Sequence, residues 1–505
     1  MKSIAIIYSF ILLLGINAEF LRFLPTYSNT YDYSSYSATS TDTNLSSKTL
    51  SSTTADNSVV YITKAGITIT DSALNKESGD SSNTENSEFY GVNAAVLVQG
   101  GGLIMSGGTI STAATGANAL VATNDGEVTI SGTKITSTGS SSARGLHATF
   151  GGKITASNVE ISTQGGSCAS LATDRGEGTV TCTECTLSTA GAGSPLIYST
   201  GQITASKTTG TATGAQAIVI EGRNTATIRD STQLKCNGNP NRKEVDKCGV
   251  MLYQSMSGDA ESGTSTFNCI ESSIEIQSSS SYYSSAPMFF ITNTEAKINL
   301  EGCTLTYGSG VFLNAAGTSE WGTTGSNGGV VTLSLTNQNI EGDITVDANS
   351  GLTINMVGSS IKGKINTANT AAKIAITLDS GSTITLTGNS YYTSILNAKT
   401  DGSNLINGTF TWTLAEEKEI TTGGGNSQPD EKPSNMADGE HDPRSSDNKE
   451  HGEHEPPFSD GTQPPKKPDS EDDDEEGDNG STSNNSRRVD IILSMISVLI
   501  FIIIG

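Results

Sequence analysis

One short phrase keeps returning in this chain, and it restricts the fold more than any other feature. From Asn93 to Cys236 a small apolar strand leads into a Gly-containing turn, a Thr/Ile/Ser strand, a second turn and a short strand ending in Ser or Thr. The copies begin NAAVLVQGGGLIMSGGTIST at Asn93, NALVATNDGEVTISGTKITST at Asn118 and RGLHATFGGKITASNVEIST at Arg144. They continue as CASLATDRGEGTVTCTECTLST at Cys168, SPLIYSTGQITAS at Ser194 and QAIVIEGRNTATIRDSTQL at Gln216. The period drifts over roughly 21–26 residues, the range of solenoids and arrays. One such unit cannot bury its own apolar face, whereas stacked units can.

The reading that follows is all-β: a single-stranded right-handed parallel β-helix, a solenoid, over residues 59–415. At roughly 25 residues per coil this stretch makes about fourteen coils, with strands of successive coils ~4.8 Å apart. An antiparallel β-sandwich array is the runner-up, but the three-strand units lack its hairpin turns. Outward Thr and Ser are expected to form hydrogen-bonded ladders between coils. Trp412 is placed as the cap of the final coil, where a solenoid otherwise exposes its core and strand edges. Aromatic content of only 6% suits thin stacks of Val, Ile, Leu, Ala and Thr rather than a large globular core.

The flanks read differently. Residues 1–18 have the Lys2 start, the apolar stretch and the terminal Ala18 of a secretory signal. Residues 19–58, rich in Ser, Thr and Tyr without a clear period, read as flexible, and a polar loop is expected from Asn75 to Glu88. Residues 416–488 form an acidic spacer carrying eight of the twelve prolines, a composition that stays extended. The apolar run 489–505 follows small polar residues, the pattern of a GPI-anchor signal with Asn479, Gly480 or Ser481 as attachment site. A spanning tail helix is the alternative. These features imply export to the cell surface, at the outer leaflet of the plasma membrane. The net charge of −24 argues against nucleic acid as a partner, since that needs a basic surface. Sequons stand at Asn44, Asn407, Asn479 and Asn484.

All seven cysteines lie between Cys168 and Cys303. Behind a secretion signal they are free to pair, and a Cys236–Cys248 disulfide would pin the insertion CNGNPNRKEVDKC. Cys182 and Cys185 look like half a zinc site, but a second pair is missing. The richest polar corner is Asp174, Arg175 and Glu177 in TDRGEG, one or two coils from Glu221 and Arg223 in EGRN. Acids beside an arginine on one face fit a proton-abstracting lyase; turn chemistry with inter-coil ion pairs explains them as well. Asp259 and Glu261 in the loop 254–265 are calcium candidates; no other cofactor is implied. His147 reads as a packed or surface histidine. Tyr253, Tyr282, Tyr283, Tyr391 and Tyr392 are candidate sugar-stacking residues.

The phrases NTENSEFYGVNAAVLVQGG, TDRGEGTV, GSPLIYST, AIVIEGRN and MLYQSMSGDAESGTSTF resemble those of adhesin-like secreted β-helix proteins of gut anaerobic bacteria. The broader fold is similar to the pectin-lyase-like superfamily. The resemblance implies a surface β-helix engaged in adhesion or glycan binding, with glycans or surface proteins of another cell as partners. It carries no catalytic set onto this chain. A polysaccharide lyase or glycoside hydrolase is the enzymatic alternative, and a purely structural coat protein the third. The extra cysteines and the GPI-type C-terminus, a eukaryotic feature, depart from the bacterial pattern.

Overall fold

The computed structural model describes residues 27–240 and 244–420, all within the first of two compact units, Met1–Ser445. The expected signal, Asn479, Gly480, Ser481, Asn484 and the apolar tail fall outside the described residues. No helix among the described residues is long and apolar enough to cross a membrane.

The chain winds as a right-handed parallel β-helix. Three long sheets run through it: sheet A with twelve strands, sheet B with fourteen and sheet C with ten. A four-stranded and a two-stranded sheet complete the C-terminal coils. Consecutive strands go to A, then B, then C, so each strand pairs with its counterpart one coil away. The inter-strand pairings of the three long sheets are parallel (for example), which rules out the antiparallel array.

One coil shows why the phrase folds this way. Leu120–Thr123 joins sheet A, Glu127–Ser131 sheet B and Lys134–Ser137 sheet C. Side chains alternate across a strand, so Leu120, Ala122, Val128, Ile130 and Ile135 point inward and are buried, while Glu127, Thr129 and Lys134 face water. The next coil repeats this in register, with Val128 on Ile154 and Ile135 on Ile161. Burial of these branched side chains, roughly 1.5–3 kcal/mol each, drives the stacking.

The corner between sheets B and C needs one residue in the left-handed region. Gly107 and Gly132 supply it at no steric cost, but Asn158, Glu184, Lys207 and Glu271 adopt it too. The following residue turns inward and builds a ladder. Thr208 Oγ1 accepts from the Cys185 N–H at 3.4 Å and Thr232 Oγ1 from the Thr208 N–H at 3.2 Å. Further on, Gln338 Oε1 accepts from Cys303 N–H, Ser359 Oγ from Gln338 N–H and Ser382 Oγ from Ser359 N–H. Buried polar groups are thus satisfied by the coil that follows. The expected outward ladder is also present, with Asn299 donating to Asn268 at 2.9 Å and Asn268 to Thr227 at 3.0 Å.

Several expectations need correction. The solenoid begins at Ala38, not Val59: Ala38–Thr41, Leu45–Ser46 and Thr49–Ser52 form a first coil inside the stretch read as flexible. The loop expected from Asn75 holds a helix, α1 (Thr84–Tyr90), capped by Asn83 at its start and by left-handed Gly91 at its end. Cys236 and Cys248 are not bonded; both are free and buried. Cys236 packs in the interior core, whereas Cys248 packs with Met251, Phe290 and Trp321 in a separate apolar cluster. The disulfides are Cys182–Cys185 and Cys269–Cys303, each joining an inward residue of sheet B to a corner residue. Trp412 does lie in the last strand, Trp412–Leu414, edge-on to Tyr392.

Replacing Thr208 with Val removes a ladder acceptor while keeping the shape. Leaving the Cys185 N–H unsatisfied in the core is expected to cost about 1–3 kcal/mol in urea unfolding; an unchanged midpoint would show that the ladder does not stabilise the corner.

Candidate functional site

The outer face of sheet A is the unusual surface of this solenoid. Its outward column runs Tyr61, Leu97, Val121, His147, Ala172, Tyr198, Val219, Met251 and Phe290 in register. Most of these residues are buried, because further segments lie over them. α1 presses its C-terminal end onto Leu97 and Val121, and the loop carrying Trp321 covers Val219, Met251 and Phe290. Between these two apolar patches lies a row of charges.

The turns from sheet A to sheet B create that row. Asp174 follows the strand Leu171–Thr173 and Glu221 ends the strand Ile218–Glu221; both stand in one outward column with Thr200 between them. Gly222, in the left-handed region, then reverses the chain and places Arg223 alongside. Arg175 Nη2 pairs with Asp259 Oδ1 at 2.7 Å. Arg223 pairs with Glu177 at 2.8 Å and also with Glu261. Glu221 Oε2 accepts from the hydroxyls of Tyr198 and Tyr253, each at 2.7 Å.

The lyase and calcium candidates thus fall into neighbouring sets along the sheet A-to-B turns: Asp174 with Arg175 and Asp259, Arg223 with Glu177 and Glu261, and Glu221 with two tyrosine hydroxyls. The deepest part of this row escaped the sequence reading. Arg144, 3% exposed, pairs with Asp174 at 2.9 Å and Glu88 at 3.4 Å and donates to Nε2 of the fully buried His147 at 3.3 Å. The one available sign was a charged residue at a position where the neighbouring repeats carry Asn118 and Ala169. Arg175 is also stacked on Phe89, 3.8 Å from the ring centroid. Among the described residues, no group of three or more His, Cys, Asp or Glu side chains is placed to hold a metal ion. Tyr253 packs edge-on to Trp321, and Tyr282, Tyr283 and Tyr392 lean on the core. Asn44 is exposed and its side-chain oxygen accepts from Thr68 N–H; Asn407 is half-buried in a turn.

The electrostatics follow from burial. The Asp174 carboxyl is pushed up to about 7 by desolvation, against the pull of Arg144 and with the help of Asp259 and Glu88. Glu221 is raised by burial against the hydroxyls around it. Burial, then Arg144, holds His147 well below its ordinary value, so its imidazole is neutral.

Three all-parallel sheets built from repeating strand triplets make this a β-helix of the pectin-lyase-like kind. No family model, curated protein or solved structure matches the chain, so the fold and the site's own chemistry carry the functional argument.

Asp174 gives a signed prediction. The unfolded chain loses this proton near pH ~3.9, while the folded chain keeps it to about pH 7. Its contribution to stability is thus full below about pH 4 and declines as the pH rises to 7. Between these limits Asp174→Asn is expected to gain on wild type by at least about 1.4 kcal/mol, the worth of one pKa unit. Urea melts across that range check it; a constant difference contradicts it.

Proposed function

We propose that this protein is a cell-surface contact protein that binds glycans through a repetitive polar face, displayed outside the cell on a GPI anchor. The observation that carries the reading is the outer face of sheet B. There Thr129, Thr155, Thr181, Thr204 and Thr227 form one column in register, continued by Asn268 and Asn299. A flat surface repeating hydroxyls and amides at ~4.8 Å suits a ligand that is itself a repeating polar chain. Many weak contacts along such a face sum to useful avidity when many copies are displayed. The pairing of Arg175 and Arg223 with carboxylates supports binding over proton abstraction, because neither guanidinium stands alone beside an open acid. The anchor reading rests on the sequence pattern of residues 479–505.

A second reading has its own support. Asp174 and Glu221 stand two rungs apart in one column, about 10 Å at ~4.8 Å per rung, close to the separation of acid and base in inverting glycosidases. Burial raises Asp174 above the ordinary carboxyl value, as a general acid requires; with Asp174 and Glu221 only 3% and 1% exposed, a substrate reaches them only where the covering segments open.

On a glycan array the purified chain is expected to bind a repeating polysaccharide, and the triple variant Thr129→Val, Thr155→Val, Thr181→Val to lose at least about tenfold in affinity, ~1.4 kcal/mol. An array without signal favours a structural coat protein. New reducing ends or unsaturated product from polygalacturonate, lost in Glu221→Gln, would replace the binding reading with the enzymatic one. For the anchor, phosphatidylinositol-specific phospholipase should release the protein from intact cells; retention would indicate a spanning tail.

A further inference from the structure

Residues 27–36 form an arm that precedes the first coil and runs over the outer face of sheet A. The arm alternates. Tyr27, Asn29, Tyr31 and Tyr33 are half-buried while Ser28, Thr30, Asp32 and Ser34 are exposed, so one edge of the arm faces the sheet up to a short 3-10 turn, Tyr33–Ser35. Its grip comes from side chains. The Tyr27 hydroxyl donates to the Gly258 carbonyl, 231 residues away, and its ring lies 5.6 Å from the Arg175 guanidinium. Asn29 Nδ2 reaches Thr123 Oγ1 at 3.4 Å. The Tyr31 ring stacks on Tyr90 at 5.5 Å, and Tyr90 stacks in turn on Phe150 at 5.6 Å. The Tyr33 hydroxyl donates to the Tyr90 carbonyl at 2.7 Å while its ring packs near Tyr61.

The arm's backbone joins no ladder: its strand-free stretch forms one internal turn bond, Tyr36 N–H to Tyr33 O, and no strand pairing to sheet A. Aromatic side chains concentrate the binding energy of protein interfaces, and here they rather than the main chain hold the arm. Segments with few buried backbone hydrogen bonds also open at the lowest free energy in a fold. The end of the arm lies on the Arg175–Asp259 pair, so it closes one side of the polar row described above.

We propose that the outer face of sheet A is a peptide-docking surface and that the arm is its built-in, releasable occupant, a Tyr-x-Asn-x-Tyr-x-Tyr segment that covers the Arg175–Asp259 end of the polar row. The occupant is the chain's own arm, held at high effective concentration by its tether. This stands apart from the glycan reading, which concerns sheet B.

The test uses the full chain. In Tyr27→Ala, Asn29→Ala, Tyr31→Ala, Tyr33→Ala all four anchors of the arm are removed and its seat is vacant. A fluorescent synthetic peptide of residues 27–36 is expected to bind this variant one to one, at least tenfold more tightly than wild type, and the further change Arg175→Ala should remove most of that gain. Equal affinity for variant and wild type, or equal binding of a scrambled peptide, overturns the proposal. A second measurement does not depend on the quadruple variant. In a chain carrying a fluorophore at exposed Ser28 (Ser28→Cys), excess unlabelled peptide should displace the arm and lower the label's anisotropy. An anisotropy that the peptide leaves unchanged makes the arm a fixed part of the fold and refutes release.

Discussion

No coil of this protein satisfies itself. The inward side chains of one turn are covered only by the turn above and below, and at several corners the backbone N–H finds its acceptor on a residue of the next coil, as Cys185 does on Thr208 and Thr208 on Thr232. Parallel stacking in strict register is therefore the condition on which everything else rests. A slip of one residue would turn Val128 and Ile130 outward and Thr129 inward. The same register sets the threonine column on sheet B and brings Asp174 and Glu221 into one line.

The charged row on sheet A shows the cost and use of that register. Burying Arg144, Glu88 and Asp174 is expensive unless each charge is answered; Glu88 of α1 and Asp174 of a sheet A-to-B turn answer Arg144, while Asp259 and Glu261 of a long loop answer Arg175 and Arg223. The helix and the long loop have no counterpart in the repeated phrase. They hold to the rod through Arg144, Arg175 and Arg223, each pairing with acids from distant parts of the chain. Removing Arg144 would strand the buried carboxylates of Glu88 and Asp174 rather than merely delete a contact.

The repeats were legible because they combine two signals, alternation within each strand and Gly or Asn at the turns, over six consecutive copies from Asn93 to Cys236. The polar corner was legible for a related reason: TDRGEG and EGRN carry charges where other coils have small residues. The first coil was not, because Ala38–Thr41 and Thr49–Ser52 are built of Ser and Thr, whose apolar partners Leu45 and Leu50 are too few to show a period. The disulfides were misread because spacing along the chain says nothing about which side of a sheet a cysteine occupies. Cys236 and Cys248 flank one insertion but pack in different clusters, while Cys269 and Cys303, 34 residues apart, meet across one coil. Arg144 was hidden because its partner Glu88 comes from a helix that no repeat predicts.

The central claim is that consecutive threonines of the sheet B column sit on consecutive rungs. Spin labels placed at Thr155 and, in separate chains, at Thr181, Thr204 or Thr227 test it directly by pulsed electron resonance. Stacked parallel coils predict a separation that grows by about 4.8 Å with each rung. Distances that fail to increase in that order would contradict the register, and with it the polar face and the charged row.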